Sequence, residues 1–326
     1  MAMTEAAEGR GIALIGRTPV RQFGMQGLRP VERVFAMTAF PSVLTLAFYG
    51  AWRSIRSGVD PALAIALPIG FAYLFLAVAE RLLPWHESWL HSKGDLRTDI
   101  GLYFTNTLVS VLGTPLVVAA FAYLGALLSG QIGIGYWPVD WPILAQVALA
   151  LVIAEFIEYW FHRLMHEVPF LWRFHATHHS SPRLYWLNAV RFHPIDLFSV
   201  GVLKLAPLAV LGAGAEVFAL VNLYSAIHGI FQHGNVPTRL GPLNWIFSMA
   251  ELHRWHHSKT VEEANHNYGG NLIFWDIVFG TRFLPADREP SEEIGIAELP
   301  DFPMGYWANL ASPFRWRAVR EASRRD

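Results

Sequence analysis

The chain has 326 residues, of which 53% are hydrophobic and only 16% are charged. Soluble domains usually carry about 25% charged residues, so this composition excludes a disordered chain and argues against an ordinary soluble protein. The net charge of −1 provides no basic field for nucleic acid, and the absence of cysteine excludes disulfides, thiolate metal sites and a cysteine nucleophile. Fourteen histidines are unusual in so apolar a chain.

The apolar segments, taken in chain order, predict membrane spans. A helix needs about 20 apolar residues to cross the bilayer core, within a range of about 17–25. Four runs reach or exceed such lengths, namely 34–52, 62–79, 102–128 and 142–161. Two weaker runs, 197–212 and 215–231, predict a hairpin. We therefore expect an all-α fold, a polytopic membrane helix bundle of four main spans plus this hairpin, with a cytoplasmic histidine-rich helical cap.

The basic residues predict the orientation of the chain. Arginine and lysine are frequent before the first run and in the C-terminal segment but absent from loop 129–141. By the positive-inside rule, both termini and the histidine-rich segments then lie in the cytoplasm. No glycosylation sequon or retrieval motif is present, which favours a bacterial inner membrane over an endoplasmic reticulum. We expect three parts: a polar N-terminal arm (1–33), a membrane-embedded domain (34–285) and a cytoplasmic C-terminal tail (286–326).

The histidines form three clusters with helical spacing. The segments HRLMH (162–166), HATHH (175–179) and HRWHH (253–257) repeat the i, i+3 or i, i+4 spacing that puts side chains on one helix side. Eight imidazoles exceed one octahedral shell, so two metal ions are the economical interpretation. Nitrogen ligation without thiolate suits zinc, copper, iron or nickel. The eight residues are His162, His166, His175, His178, His179, His253, His256 and His257, and His228 and His233 on the last apolar run extend the set to ten.

Other chemical classes fit the sequence less well. A zinc protease needs His-Glu-x-x-His, whereas residues 162–166 read HRLMH and lack the glutamate base. No glycine-rich phosphate loop or Gly-x-Ser-x-Gly elbow is present. A membrane metal transporter with a histidine relay and a membrane scaffold with structural zinc stay open as alternatives. The relay predicts ligands within the spans, whereas the clusters lie at span ends.

The three boxes, in this order and with these membrane flanks, resemble the HxxxH, HxxHH and HxxHH boxes of the fatty acid hydroxylase/sterol desaturase superfamily. The resemblance covers about residues 70–285 and extends to motifs around Arg97-Thr98-Asp99, 168–181, 188–194, 228–235 and 267–281. It implies an integral-membrane non-haem oxygenase with two iron ions, ligated by the eight box histidines and His233. His228 is a weaker candidate, because an i, i+5 spacing places it about 140° from His233 on a helix.

Six further residues are candidates for orienting the ligands through hydrogen bonds: Glu158, Arg97, Asp99, His193, Asn267 and Asp276. Each also has a purely structural interpretation, such as an ion pair at a helix start. Glu158 is costly in a membrane segment, which favours a functional role. His193 precedes Pro194 and is either close to the substrate or a structural residue at a helix start.

The resemblance also implies the reaction. The enzyme would use O2 and external electrons to hydroxylate or desaturate a C–H bond of a lipid, with sterol, fatty acyl, ether lipid and terpenoid substrates all open. No flavin, haem or dinucleotide motif is visible, so the electrons must come from a separate donor. By resemblance this donor is a ferredoxin or a cytochrome b5-like protein, or a pterin in ether-lipid-cleaving relatives. We expect no nucleic-acid partner.

Overall fold

The computed structural model describes residues 27–132 and 136–324. Most of the predicted N-terminal arm therefore lies outside the described residues. The described part is helical, and its only β pairings are two isolated bridges. This confirms the predicted all-α fold.

Five helices are long and apolar enough to cross a membrane: α1 (Pro30–Arg56), α2 (Pro61–Leu82), α3 (Leu96–Ile132), α4 (Ile143–Glu167) and α6 (Pro194–Leu211). The four predicted runs become α1 to α4. The predicted hairpin is α6 and α7 (Ala215–His233), joined by a short turn. Within the described residues, α6 of the hairpin counts as a fifth candidate span and α7 does not.

The ends of these helices follow from local sequence. Proline stands in the first turn of α1, α2 and α6, where its missing N–H costs nothing. The Asp60 side chain caps α2 by accepting the N–H groups of Ala62 and Leu63 at 2.9 and 3.2 Å. Gly212 ends α6 with φ of +90°, a conformation that disfavours any side chain.

Glycine also allows two helices to approach closely. At Gly125 of α3, a Cβ would collide with the Val210 backbone of α6, so the absence of a side chain there permits the close contact between α3 and α6.

Helix α7 is the centre of the bundle. It packs against α1, α2 and α4, and Leu223, Ile227 and Ile230 are completely buried. The outer helices expose large apolar side chains such as Leu67 and Leu116, as expected for surfaces that face hydrocarbon. Burial on the inside and apolar exposure on the outside together support a multi-pass membrane protein.

A cap of short helices covers the bundle where α4 and α7 end. It contains α5 (Pro169–His179), α8 (Ala250–His256), α9 (Val261–Ala264), α10 (Phe274–Val278), α11 (Tyr306–Ala311) and α12 (Trp316–Ala322). The segment expected to be a tail folds back onto this cap, since α11 packs on α3 and Val319 of α12 joins Ala176 of α5 in one apolar cluster. The domain boundary at 286 and the cytoplasmic position of the cap stay predictions.

Candidate metal centre

Nine histidines from four helices converge into two groups where the cap meets the bundle. The potential ligand atoms in each group lie within 4.8 Å of one another. The first group is His162, His166, His175, His179 and His256, and the second group is His178, His233, His253 and His257. All eight box histidines and His233 are therefore brought together.

Helix geometry explains why the boxes are divided between the groups. Consecutive residues on an α-helix point about 100° apart, whereas residues i and i+4 share a side. On α5, His175 and His179 join the first group while His178 joins the second. On α8, His253 and the adjoining His257 join the second group while His256 joins the first. Each HxxHH box thus serves both groups, and the rings of His179 and His257 are stacked 4.5 Å apart.

The spacing of the Nε2 atoms matches ligands around an ion. The Nε2 atom of His162 lies 3.1 Å from those of His175 and His256. In the second group, the Nε2 atom of His253 lies 2.9 Å from those of His233 and His257. Two nitrogens bound at about 2.1 Å and at right angles around one metal would lie about 3.0 Å apart.

The opposite ring nitrogen, Nδ1, faces an oxygen acceptor in six of the nine histidines. An Nδ1–H that donates to such an acceptor fixes the tautomer and leaves the Nε2 lone pair for a metal. Four acceptors are backbone carbonyls, namely Tyr268 for His162 (2.7 Å), Arg191 for His178 (3.2 Å), Gly229 for His233 (2.8 Å) and His266 for His256 (2.8 Å). The other two are side chains, Asp196 for His175 (2.9 Å) and Asn265 for His166 (3.2 Å).

Burial favours the neutral form of four histidines in the cap. In the cap, it lowers the pKa of His178, His179, His253 and His257 well below the ordinary value. Neutral imidazole is the form that binds metal. The Nε2 atoms of His166 and His179 are also buried, with no hydrogen-bond partner among the described residues. An unpaired buried acceptor is costly and a metal ion would satisfy it, so this donor set fits bound metal.

A buried ion pair that includes Asp99 of α3 lies behind the second group. The Asp99 carboxylate pairs with the Arg191 guanidinium, and both side chains are fully buried. Arg191 also donates to the Thr177 carbonyl at 3.0 Å and the Ser180 hydroxyl at 2.9 Å, both on the segment that carries His178. Because the Arg191 carbonyl accepts from His178, Asp99 acts on that ligand through Arg191. Sequence reasoning named Asp99 but missed Arg191, which stood in the quoted 188–194 motif.

Two predicted orienting residues hold the loop that serves His162. The Asp276 carboxylate accepts the N–H groups of Tyr268 and Gly269 at 2.8 and 2.7 Å. Asn267 has φ of +55° and donates its amide to the Leu252 carbonyl of α8 at 2.9 Å. Both residues therefore position the Tyr268 carbonyl rather than contact a histidine group.

Glu158 lies one turn before His162 and is neutralised within the bundle. Lys204 of α6 places its ammonium 2.5 Å from the Glu158 carboxylate and 3.8 Å from that of Glu155. Glu155 also accepts the backbone N–H of Asn271 at 2.8 Å. These contacts fasten α4 to α6 and to the 268–272 loop, and they explain how two carboxylates are tolerated in a span.

Three sequence candidates lie elsewhere. His228 stands outside both groups, among the rings of Phe40 and Tyr224 at 5.5 and 5.6 Å, because its i, i+5 offset turns it away from His233. Arg97 is exposed at the start of α3, and the arginine that pairs with Asp99 is Arg191. His193 caps α6, accepting the Ile195 N–H at 3.2 Å and facing the Leu310 carbonyl at 3.1 Å. This favours its structural interpretation.

Comparison with known proteins agrees with the sequence motifs. Residues 147–281, which include all nine histidines, match the family model for fatty acid hydroxylase. The chain is 38% identical over 292 residues to an ornithine lipid hydroxylase of Rhizobium tropici, covering 86% of this chain and 85% of the relative. It is 34% identical to human alkylglycerol monooxygenase over 40% of this chain and 29% of that protein. A putative Delta(7)-sterol-C5(6)-desaturase 2 of Arabidopsis thaliana is 30% identical over 44% of this chain and 50% of its own length. No solved structure matches.

Proposed function

The chain belongs to the fatty acid hydroxylase family and is a membrane-bound oxidoreductase of lipids, and from this premise we propose that it is a di-iron oxygenase. It uses O2 and external electrons to hydroxylate or desaturate a C–H bond of a lipid. The family is iron-dependent. The observation that carries the proposal is the pair of compact histidine groups, which offer five and four potential ligand atoms.

Each group would hold one iron ion through Nε2 atoms. Iron supplies the redox chemistry with O2 that an unactivated C–H bond requires and that no side chain can provide. In six of the nine histidines the chain's own acceptors hold the Nδ1 proton and fix the ring orientation, and burial of the second group excludes water from it. None of the ligands is a carboxylate, so the positive charge of bound metal is balanced from outside the ligand set. Asp196, whose buried carboxylate lies 2.9 Å from His175 Nδ1, is one such carboxylate beside the first group.

The substrate is a membrane lipid that reaches the site from the bilayer. The relatives named above act on ornithine lipids, alkylglycerols and sterols by their names, and we propose a substrate within this range of amphiphiles. The electrons come from a separate ferredoxin or cytochrome b5-like protein, with a pterin as the third option. We further propose a bacterial inner membrane, with the histidine groups and both termini in the cytoplasm.

Metal analysis and lipid analysis test the proposal together. We expect the purified full-length protein to contain two tightly held iron ions per chain and to consume O2 when reductant and lipid are supplied. Lipid extracts of cells with and without the gene should differ by an added oxygen or a lost hydrogen pair. Zinc in place of iron with no redox activity would favour the scaffold. Transport of labelled metal into vesicles, without lipid oxidation, would favour the transporter.

A further inference from the structure

A cavity of about 500 Å³ adjoins the first histidine group, between α5 and the C-terminal segment. His166 and His179 form part of its lining. Much of the remaining wall is apolar and includes Trp172, Leu299 and Trp316. Such a volume lies within the range of small-molecule sites, where apolar walls surround a few polar groups.

The charged groups of this cavity have an excess of positive charge. Its lining contains Lys259, Arg320 and Arg324 against a single acid, Glu298. Lys259 has a partner in Glu293 at 3.6 Å. Arg320 and Arg324 have no carboxylate partner among the residues that the structure describes. Guanidinium groups bind phosphate and carboxylate with paired hydrogen bonds, so both arginines are available for an anionic group.

A second hollow of about 490 Å³ lies beside the cavity and shares Trp316, Arg320 and Arg324 with it. Phe314 lines this hollow and is 70% exposed. Its ring lies 5.9 Å from that of Phe174, which in turn lies 5.6 Å from the 60% exposed Phe170. Exposed aromatic rings beside arginines are typical of a membrane–water interface.

Helix α11, which precedes α12, also indicates that this part of the cap lies beside the membrane. Trp307 of α11 is 78% exposed, and α11 packs against α3, a candidate span. This packing beside a candidate span fits a second hollow that opens near the membrane surface. A path from the bilayer to His166 and His179 would then pass Arg320 and Arg324.

We propose that this cavity binds the polar end of a lipid that carries an anionic group, a phosphate or a carboxylate, and that Arg320 and Arg324 bind that group. The apolar walls hold the adjacent part of the lipid beside His166 and His179. This inference rests on the proposed function for the identity of the reaction, and it adds the chemical class of the substrate.

Equilibrium binding to the purified full-length protein tests the proposal. The probes are dihexanoyl phosphatidic acid, N-decanoylserine and neutral decanoylglycerol, each kept monomeric below its micelle concentration. The test variant is the double change Arg320→Gln and Arg324→Gln. Its matched control is Arg315→Gln, which removes an exposed arginine of the same segment that lines neither hollow. Iron content is measured on every preparation.

We expect at least one anionic probe to bind tighter than decanoylglycerol, and the double variant to weaken that binding at least tenfold. The double variant should bind decanoylglycerol as the unaltered protein does. The Arg315→Gln control should bind all three probes with unchanged affinity. The anionic probe that loses more affinity identifies phosphate or carboxylate as the preferred group. Equal binding of all three probes, or an unaffected double variant, would overturn the proposal. Phosphatidylglycerol vesicles serve as a comparison for the bilayer surface. Selectivity for an anionic group that is seen only with these vesicles, and not with the monomeric probes, would also overturn the proposal.

The proposal and the proposed function fail in different ways. Binding requires no turnover, so an iron-free chain that selects anionic probes would remove the di-iron oxygenase and leave the lipid site. An iron-loaded, active chain that does not select anionic probes would leave the di-iron oxygenase and remove the anionic lipid site.

Discussion

The two histidine groups share their boxes but differ in access to the outside. In the second group all four histidines are buried, and α7 supplies His233 from the centre of the bundle. In the first group His166 is partly exposed, and His166 and His179 line the cavity beneath α12. One group is thus enclosed by the fold and the other adjoins an open volume.

The supports of the two groups differ in the same way. His178 and His233 of the second group face backbone carbonyls of Arg191 and Gly229. In the first group, His162 and His256 also face backbone carbonyls, but His175 faces a carboxylate and His166 faces the amide of Asn265. Backbone carbonyls move only with the fold, whereas the Asn265 side chain can rotate. We infer that the enclosed group depends on the packing of the cap, whereas the open group depends in addition on two individual side chains, Asp196 and Asn265.

The largest effect is expected from a ligand of the enclosed group. Changing His178→Ala should lower the iron content and reduce lipid oxidation at least 100-fold, while the protein still inserts in the membrane. The reason is that a four-ligand group cannot replace a lost imidazole from its surroundings. Iron analysis and an oxidation assay provide the measurement. The exposed His91 gives a matched control, and full activity of the His178 variant would remove it from the ligand set.

The buried ion pair behind the same group comes next. Changing Asp99→Asn leaves the Arg191 guanidinium charged and unpaired in a fully buried site. Removing one partner of a buried pair typically costs about 3–5 kcal/mol, so we expect a marked fall in thermal stability. The ligand His178 is held through Arg191, and iron affinity should fall about 10–100-fold. Thermal unfolding in detergent and iron titration measure both effects.

The exposed Arg97 supplies the comparison for this variant. Arg97→Ala changes charge at the same helix start but leaves the buried pair intact. We expect the thermal stability and iron affinity of Arg97→Ala to be close to those of the unaltered protein. If both variants behaved alike, the effect would belong to the charge at the start of α3 rather than to the pair.

The histidines that come together could be predicted from sequence because the spacing within each box is local. The i, i+3 and i, i+4 repeats place the imidazoles on helix sides, and lengths of apolar runs place α1 to α4. Helix geometry accounts for the division within each HxxHH box, but which members of different boxes meet could not be predicted, because it depends on how α5 and α8 face each other. His228 was kept as the weakest candidate because of its i, i+5 spacing from His233, and it lies outside both groups.

The supports of the ligands were mostly invisible in the sequence. Four Nδ1 atoms face backbone carbonyls, and a carbonyl carries no residue signature. Asp196 had a weak signal, as an acid in the first turn of a helix that begins at Pro194. The burial of α7 was also missed, because an apolar run has the same composition whether it faces lipid or protein.

A smaller effect is expected at the loop beside the first group. A Cβ at Gly270 would collide with the Glu158 carboxylate, which is held by Lys204. Gly270→Ala must therefore shift the loop that carries the Tyr268 carbonyl, and overpacking of this kind costs about 1–3 kcal/mol. We expect lower thermal stability and weaker iron binding at the first group. Gly70→Ala of α2 meets nothing within 4 Å and should change neither.

The smallest effect is expected at Asn265, whose amide oxygen lies 3.2 Å from His166 Nδ1. Asn265→Ala removes one orienting contact at the partly exposed edge of the first group and leaves the backbone supports of the second group intact. Loss of a single hydrogen bond is typically worth about 0.5–1.5 kcal/mol, so iron affinity should fall no more than about tenfold, with thermal stability nearly unchanged. Titration of iron into metal-free protein should then show one weakened ion and one unaltered ion. Equal weakening of both ions would contradict the inferred independence of the open group and would mean that the rings of His179 and His257, stacked across the two groups, transmit the change.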